Sequence, residues 1–343
     1  MNIVNIKKSN VCFIRRAVIG KCILLAKYEF KPTGGIIVFK RIDKLQIDLP
    51  TPSNPDANSA NVVQELLGGK FGEMSTLNNY LFQSFNFRSK KQLRPFYDLV
   101  ASITAEELGH VELVANTINL CLQGSTSQSG QDPANPDSTP LSEAMNSRNP
   151  QSFIFAGQNA VPKDSMGAPW TGDNVFTSGN LVNDLLHNFY LECGARTHKM
   201  RVYQMTDNET ARELCGYLLV RGGVHVVAYA KALEKLTGVD VTKMLPVPDL
   251  DNSKYDHAQK YEAKGAHRKL YRFSDNDYTM LDRIWNGPTP VGPPGELEVV
   301  SDMPTPEGGE IPNLDHIPEE FAPGFDEQQF REMSKKLNYE AGL

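Results

Sequence analysis

The chain has 343 residues, a net charge of -6 and 40% apolar residues, which is enough to bury a sizeable core without disulfide staples. Its acidic balance offers no field for nucleic acid and no polybasic membrane patch, and no apolar run reaches the roughly 18 residues that a bilayer span needs. The five cysteines, Cys12, Cys22, Cys121, Cys193 and Cys215, are odd in number, scattered and never spaced as C-x-x-C, which reads as a reduced, cytoplasmic setting.

Residues 1–37 are basic, with Lys7, Lys8, Arg15, Arg16, Lys21, Lys27 and Lys31 around an apolar stretch at 17–26. Lys21 interrupts that stretch and no small-x-small site follows. The segment therefore reads as a disordered extension or an over-long start, with Val38 as an alternative initiator, and not as a secretory signal. Residues 38–245 hold four segments with helical periodicity. The first is expected over 58–87, after the breaker-rich TPSNPDAN, and the second over 95–122, with Pro95 suited to a first turn. The polar stretch 123–172 is too long for a hairpin and predicts a crossover. A third helix is expected over 178–205 and a fourth over 207–236, separated by Thr206 to Glu209 as a T-x-x-E capping box. Residues 246–343, rich in proline and acidic residues, read as an extended tail for packing between subunits. Two hairpins joined by one long crossover predict an all-α, ferritin-like four-helix bundle.

The four helices carry, in order, Glu73 in FGEMST, Glu107 and His110 in AEELGH, Glu192 in YLECGAR, and His225 in RGGVH. All are hard or borderline metal ligands. Glu107 and His110 lie about one turn apart on one helix face, so one ion can reach both. Residues on the two arms of a hairpin stand level when the turn lies midway between them. Glu73 and His110 are centred near Lys91, inside the turn-like RSKKQLRP, and Glu192 and His225 near Asn208, inside the capping box. Both pairs therefore lie about 17 residues, or roughly 25 Å, from their turns. Glu73 sits among Leu66, Leu67, Phe71, Met74 and Leu77, where an unpaired carboxylate would be costly, and two cations would compensate the set. Glu106 and Glu112, elsewhere on the wheel, read as solvated charges.

The stretches VQELLGGKFGEMSTLNNYLFQSF, ASITAEELGHVELV, SGNLVNDLLHNFYLECGAR and YLLVRGGVH resemble the manganese catalase family, from about Phe39 through the fourth helix. The resemblance implies dismutation of hydrogen peroxide to water and dioxygen at two manganese ions per subunit. It makes Glu73, His110, Glu192 and His225 terminal ligands and Glu107 the bridge, with Tyr80 beside the metals as a second catalytic candidate. It also implies a homo-oligomer, specifically a hexamer, and calcium at Phe273, Ser274 and Asp275 with Asp98. Some members carry an Arg and a Glu over the metals; here Leu191 and Gly222 stand in those places. Gly222 also removes the second E-x-x-H that many di-iron relatives place on the fourth helix, which argues against a di-iron oxidase. Three carboxylates against two divalent cations leave one positive charge, which a bridging hydroxide would balance. A structural role like that of spore-coat proteins similar to manganese catalases is the alternative reading.

Overall fold

The computed structural model describes residues 43–123, 147–244, 250–274, 276–301, 308–314 and 327–342, so the expectation for residues 1–37 lies outside them. The first expected helix forms as two, α1 (Ala57–Gly68) and α2 (Glu73–Phe85). Its periodicity runs through, but the crossover breaks it. A Cβ at Gly68 would lie 2.3 Å from the carbonyl oxygen of Lys163, and Gln64 Nε2 donates to the carbonyls of Val161 (2.7 Å) and Lys163 (2.6 Å). The chain then turns through extended Gly69 and Gly72, residues with poor helix propensity.

Helix α3 (Arg94–Leu122) starts with Pro95 in its first turn and pairs with α2. The described part of the crossover holds α4 (Gln151–Ile154) and leads to α5 (Leu181–Met205), whose cap Asn180 accepts from Asn183 N. Helix α6 (Glu209–Thr237) pairs with α5, completing two hairpins joined by one crossover. The expected capping box is not formed. Asn208 is the cap, accepting from Ala211 N at 3.2 Å, while Thr206 Oγ1 accepts from Asn208 N at 3.0 Å and meets Ser59 Oγ at 2.5 Å. Asn caps as well as Thr does, which leaves Thr206 available to tie the turn to α1. Glu209 meets His257 Nε2 at 3.1 Å instead of reaching back to the cap.

After the bundle come α7 (Val241–Met244), α8 (Asp256–Ala263), β1 (Lys269–Tyr271), α9 (Asp282–Trp285), β2 (Gly287–Pro288), β3 (Glu296–Val300) and α10 (Glu327–Ala341). Strand β3 pairs parallel with β1 and antiparallel with β2. Apart from the 15-residue α10, which is almost wholly exposed, these pieces are too short to leave a periodic signature in a proline-rich stretch. They are nonetheless fastened down: buried Trp285 donates from Nε1 to the carbonyls of Glu298 (2.9 Å) and Arg268 (3.2 Å).

The bundle has two apolar clusters. One joins α1, the end of α3 (Leu113 to Leu122), the start of α6 (Ala211 to Val220) and α8. The other joins Tyr80, the start of α3 (Phe96 to Ile103), the start of α5, Val224 to Leu233 of α6, and Trp285. Glu73, Glu107, His110, Glu192, Lys199 and Arg221 fall in the sequence gaps between the two clusters, His225 lies at the edge of the second between Val224 and Val226, and all seven are at most 1% exposed. A charged layer thus crosses the middle of the bundle.

Replacing Asn208 by Ala should lower unfolding stability by about 1 kcal/mol, the usual worth of an N-cap side chain. Glu209→Ala should cost less than half of that if the exposed carboxylate plays no capping part. Urea unfolding of both variants checks this, and equal losses would restore the capping-box reading.

Candidate metal centre

The five candidate ligands come from four helices. Glu73 is the first residue of α2, where unpaired backbone N–H groups favour a negative charge. Glu107 and His110 share a face of α3, Glu192 comes from α5 and His225 from α6. All five are fully buried. The structure brings them together as two groups, Glu73 with Glu107 and His110, and Glu107 with Glu192 and His225, each with ligand atoms within 4.8 Å of one another. Glu107 belongs to both. Its Oε2 lies 3.2 Å from His110 Nδ1 and its Oε1 2.8 Å from His225 Nδ1. Glu73 Oε2 is 3.6 Å from His110 Nδ1, and Glu192 Oε1 is 3.3 Å from His225 Nδ1.

These groups fit cations better than they fit each other. Glu107 Oε1, Glu192 Oε2 and His225 Nδ1 are buried without a hydrogen bond, although Glu107 Oε1 and His225 Nδ1 are 2.8 Å apart. Close approach without hydrogen-bond alignment is what results when lone pairs aim at a common third atom. Two protein donors do align: Thr76 Oγ1 gives its proton to Glu107 Oε2 at 2.8 Å, and Tyr80 OH to Glu192 Oε1 at 2.7 Å. The Tyr80 ring is fully buried with its centroid 5.2 Å from that of Tyr229.

Two features escaped the sequence reading. Lys199, only 1% exposed, places Nζ 2.9 Å from Glu73 Oε1. It lies two turns beyond Glu192 on the same face of α5, a spacing that marks it in retrospect. A Cβ at Gly222 would meet Lys199 Nζ at 3.5 Å and Glu192 Oε2 at 3.8 Å, so the lysine fills the space beside the glycine. Glu106 is the second, and here the expectation is corrected. It is fully buried, not solvated, because Arg221 Nε and Nη2 hold its two oxygens at 2.5 and 3.1 Å. Glu112 is half-buried.

The electrostatics follow from burial and neighbours. Burial pushes the Glu73 carboxyl up from its ordinary range, against the lowering effect of Lys199. Burial also opposes charge on Glu107 and Glu106, yet His110 and Arg221 respectively outweigh it and hold them well below that range. His110 is disfavoured as a cation by burial, but the surrounding carboxylates, Glu107 foremost, raise it to about 10. His225 is raised in the same way by Glu106 and Glu192. Lys199 stays charged because Glu73, Glu192 and Glu107 overcome its desolvation. Without metal, protons on the histidines thus stand in for cations.

Among the described residues expected to bind calcium, Asp98 and Ser274 are engaged with protein partners. Asp98 uses Oδ1 for Arg94 Nε at 2.6 Å and Oδ2 for Met280 N at 3.0 Å, and Ser274 Oγ accepts from Asp277 N. Asp275 lies outside the described residues.

A family model described as manganese containing catalase matches residues 38–343. The chain belongs to the manganese catalase family. It is 31% identical over 274 residues to the manganese catalase of Bacillus subtilis, covering 78% of this chain and 91% of that one. With the manganese catalase of Lactiplantibacillus plantarum it shares 30% identity over 243 residues, 70% of this chain and 84% of the relative. The protein YjqC of Bacillus subtilis strain 168 is 34% identical over 250 residues, 73% and 85% of the two chains. The crystal structure of KatB, a manganese catalase from Anabaena, aligns with a TM-score of 0.47 and 22% identity over 77% of this chain and 99% of that one.

Membership in the manganese catalases carries a consequence for metal uptake. Ligation needs neutral imidazole, so Mn(II) must displace the proton that the carboxylates hold on His110 up to about pH 10. Titration calorimetry of metal-stripped protein should show proton release at pH 7, and affinity should rise from pH 6 to 8. Binding heats that are identical across buffers of different protonation enthalpy would refute this.

Proposed function

We propose that the charged layer is a dimanganese centre at which two hydrogen peroxide molecules become two waters and one dioxygen, with Glu107 bridging and Glu73, His110, Glu192 and His225 as terminal ligands. Family membership makes hydrogen peroxide the substrate and manganese the metal. The observation that supports two ions is the division of Glu107, one oxygen facing each ligand group. When bound, manganese supplies Lewis acidity and the two-electron oxidation and reduction that dismutation requires.

The chain's own residues do the rest. Apolar clusters on either side keep bulk water from the layer, which strengthens every charge interaction within it. Tyr80 orients Glu192 through its hydrogen bond, and Thr76 does the same for Glu107. The Glu106–Arg221 pair cancels itself. Two divalent cations, three carboxylates and the Lys199 ammonium then leave two positive charges. That balance favours anionic oxygen ligands over neutral ones, and Lys199, with donors only, is placed to hydrogen-bond one of them. It also sets a cation where a fourth carboxylate would stand in a second E-x-x-H, so the site differs from the di-iron pattern.

Self-association is part of this reading. Phe82 and Phe85 on α2 and Leu186 and Tyr190 on α5 are exposed, and aromatic patches of this kind suit contact with a second copy, up to the hexamer that the family resemblance implies. No helix among the described residues is long and apolar enough to cross a membrane, and Cys121, Cys193 and Cys215 are unpaired, which suits a reducing, cytoplasmic compartment.

Oxygen evolution from hydrogen peroxide, insensitive to low cyanide and measured with metal quantification, tests the proposal. Manganese-loaded protein should evolve oxygen, and Glu107→Gln and His225→Ala should each abolish it while circular dichroism keeps the helical signal. Full activity in either variant would reject those ligand roles.

A further inference from the structure

Glu106 and Arg221 make a buried pair that the reaction itself does not use. Each precedes a histidine of the centre by four residues, Glu106 before His110 on α3 and Arg221 before His225 on α6, so each shares a helix face with its histidine. The guanidinium grips both oxygens of Glu106. Glu106 Oε2 then lies 3.2 Å from His225 Nε2, and Oε1 3.7 Å from His110 Nε2. These are the ring nitrogens turned away from Glu107, whose two oxygens face the two Nδ1 atoms. The carboxylate thus stands directly behind the His225 ring and, beyond hydrogen-bond range, near that of His110, with neither Nε2 aligned to it as a hydrogen bond. A neutral imidazole carries a proton on one nitrogen and a lone pair on the other, so an acceptor behind Nε2 decides which nitrogen is free for a cation.

Arg221 is held in turn from outside the bundle. Its Nη1 donates to the carbonyls of Ala266 (2.7 Å) and Lys269 (2.8 Å), and its guanidinium carbon stands 4.2 Å from the centroid of the Tyr271 ring. The backbone of Glu106 is fixed as well, since its carbonyl accepts from Gln46 Nε2 at 3.1 Å. A buried ion pair is a poor source of stability compared with apolar residues of like size, which directs attention to what its geometry does.

We infer that Glu106 is a positioning residue for His225. Its negative charge, 3.2 Å from Nε2, favours the proton on that nitrogen and so turns the Nδ1 lone pair toward the metals, with Arg221 and the segment after the bundle fixing the carboxylate. The inference rests on reading the layer as a manganese centre.

Three proteins test it: wild type, Glu106→Gln, and the double variant Glu106→Met with Arg221→Met, which replaces the pair by apolar side chains. Each is stripped of metal, titrated with Mn(II), and examined by circular dichroism and by electron paramagnetic resonance of the loaded form. The double variant should keep the helical signal, bind Mn(II) about 10- to 100-fold more weakly and show an altered resonance spectrum. Glu106→Gln, which keeps one oxygen, should lose less affinity. Wild-type affinity and spectrum in the double variant would overturn the inference while leaving the centre intact. Failure of wild type to bind Mn(II) would instead overturn the centre. If neither variant folds, the pair serves stability and the positioning role is rejected.

Discussion

Carboxylates without water must have positive charge close by, and this requirement organises the molecule. Glu73, Glu106, Glu107 and Glu192 are all fully buried in the middle of a helical bundle, where an unpaired carboxylate is prohibitively costly. The protein answers with two fixed cations, Arg221 on Glu106 and Lys199 on Glu73, while Glu107 and Glu192 have only histidine and hydroxyl neighbours among the described residues within their groups and, with Glu73, suit a metal cation. Helix α5 shows what this does to a sequence. Asp184, Asn188, Glu192, Arg196 and Lys199, spaced by four and then three, give its buried face a polar stripe where a bundle helix would ordinarily be apolar. Each member has its own partner: Asn188 exchanges two hydrogen bonds with Gln83, and Arg196 donates to the carbonyl of Leu219 and to Asn252.

The parts of this arrangement that depend on local spacing were legible in the sequence. Glu107 and His110 declare a shared helix face. Glu73 with His110, and Glu192 with His225, are balanced about their turns, a spacing that places all five residues at one depth. The all-α bundle, its hairpins and its crossover followed from periodicity and from one long polar stretch. The features that escaped notice depend on partners far along the chain. Nothing near Gly68 says that the backbone of Lys163 will press on it and split the first helix. Nothing near Glu106 reveals Arg221. Thr206 to Glu209 satisfied a local capping motif, yet Asn208, two residues on, was an equally good cap and Thr206 was drawn to Ser59.

Gly222 illustrates how one small residue redirects a neighbourhood. The sequence reading treated it as a lost carboxylate. In the folded chain it is also an opening, and Lys199 places its ammonium beside it from α5, so a positive group stands near where the E-x-x-H pattern would put a carboxylate. The lysine stem packs through the layer while its ammonium stays with Glu73.

The division of the bundle into two apolar clusters has a mechanical corollary. Each half coheres through its own side chains, whereas the halves are joined across a stratum of charge whose cohesion depends on how well its signs are matched. Helices α3, α5 and α6 run unbroken through that stratum, so withdrawing the counter-charges would weaken side-chain cohesion at the waist while continuous backbone still ties the two packed ends together.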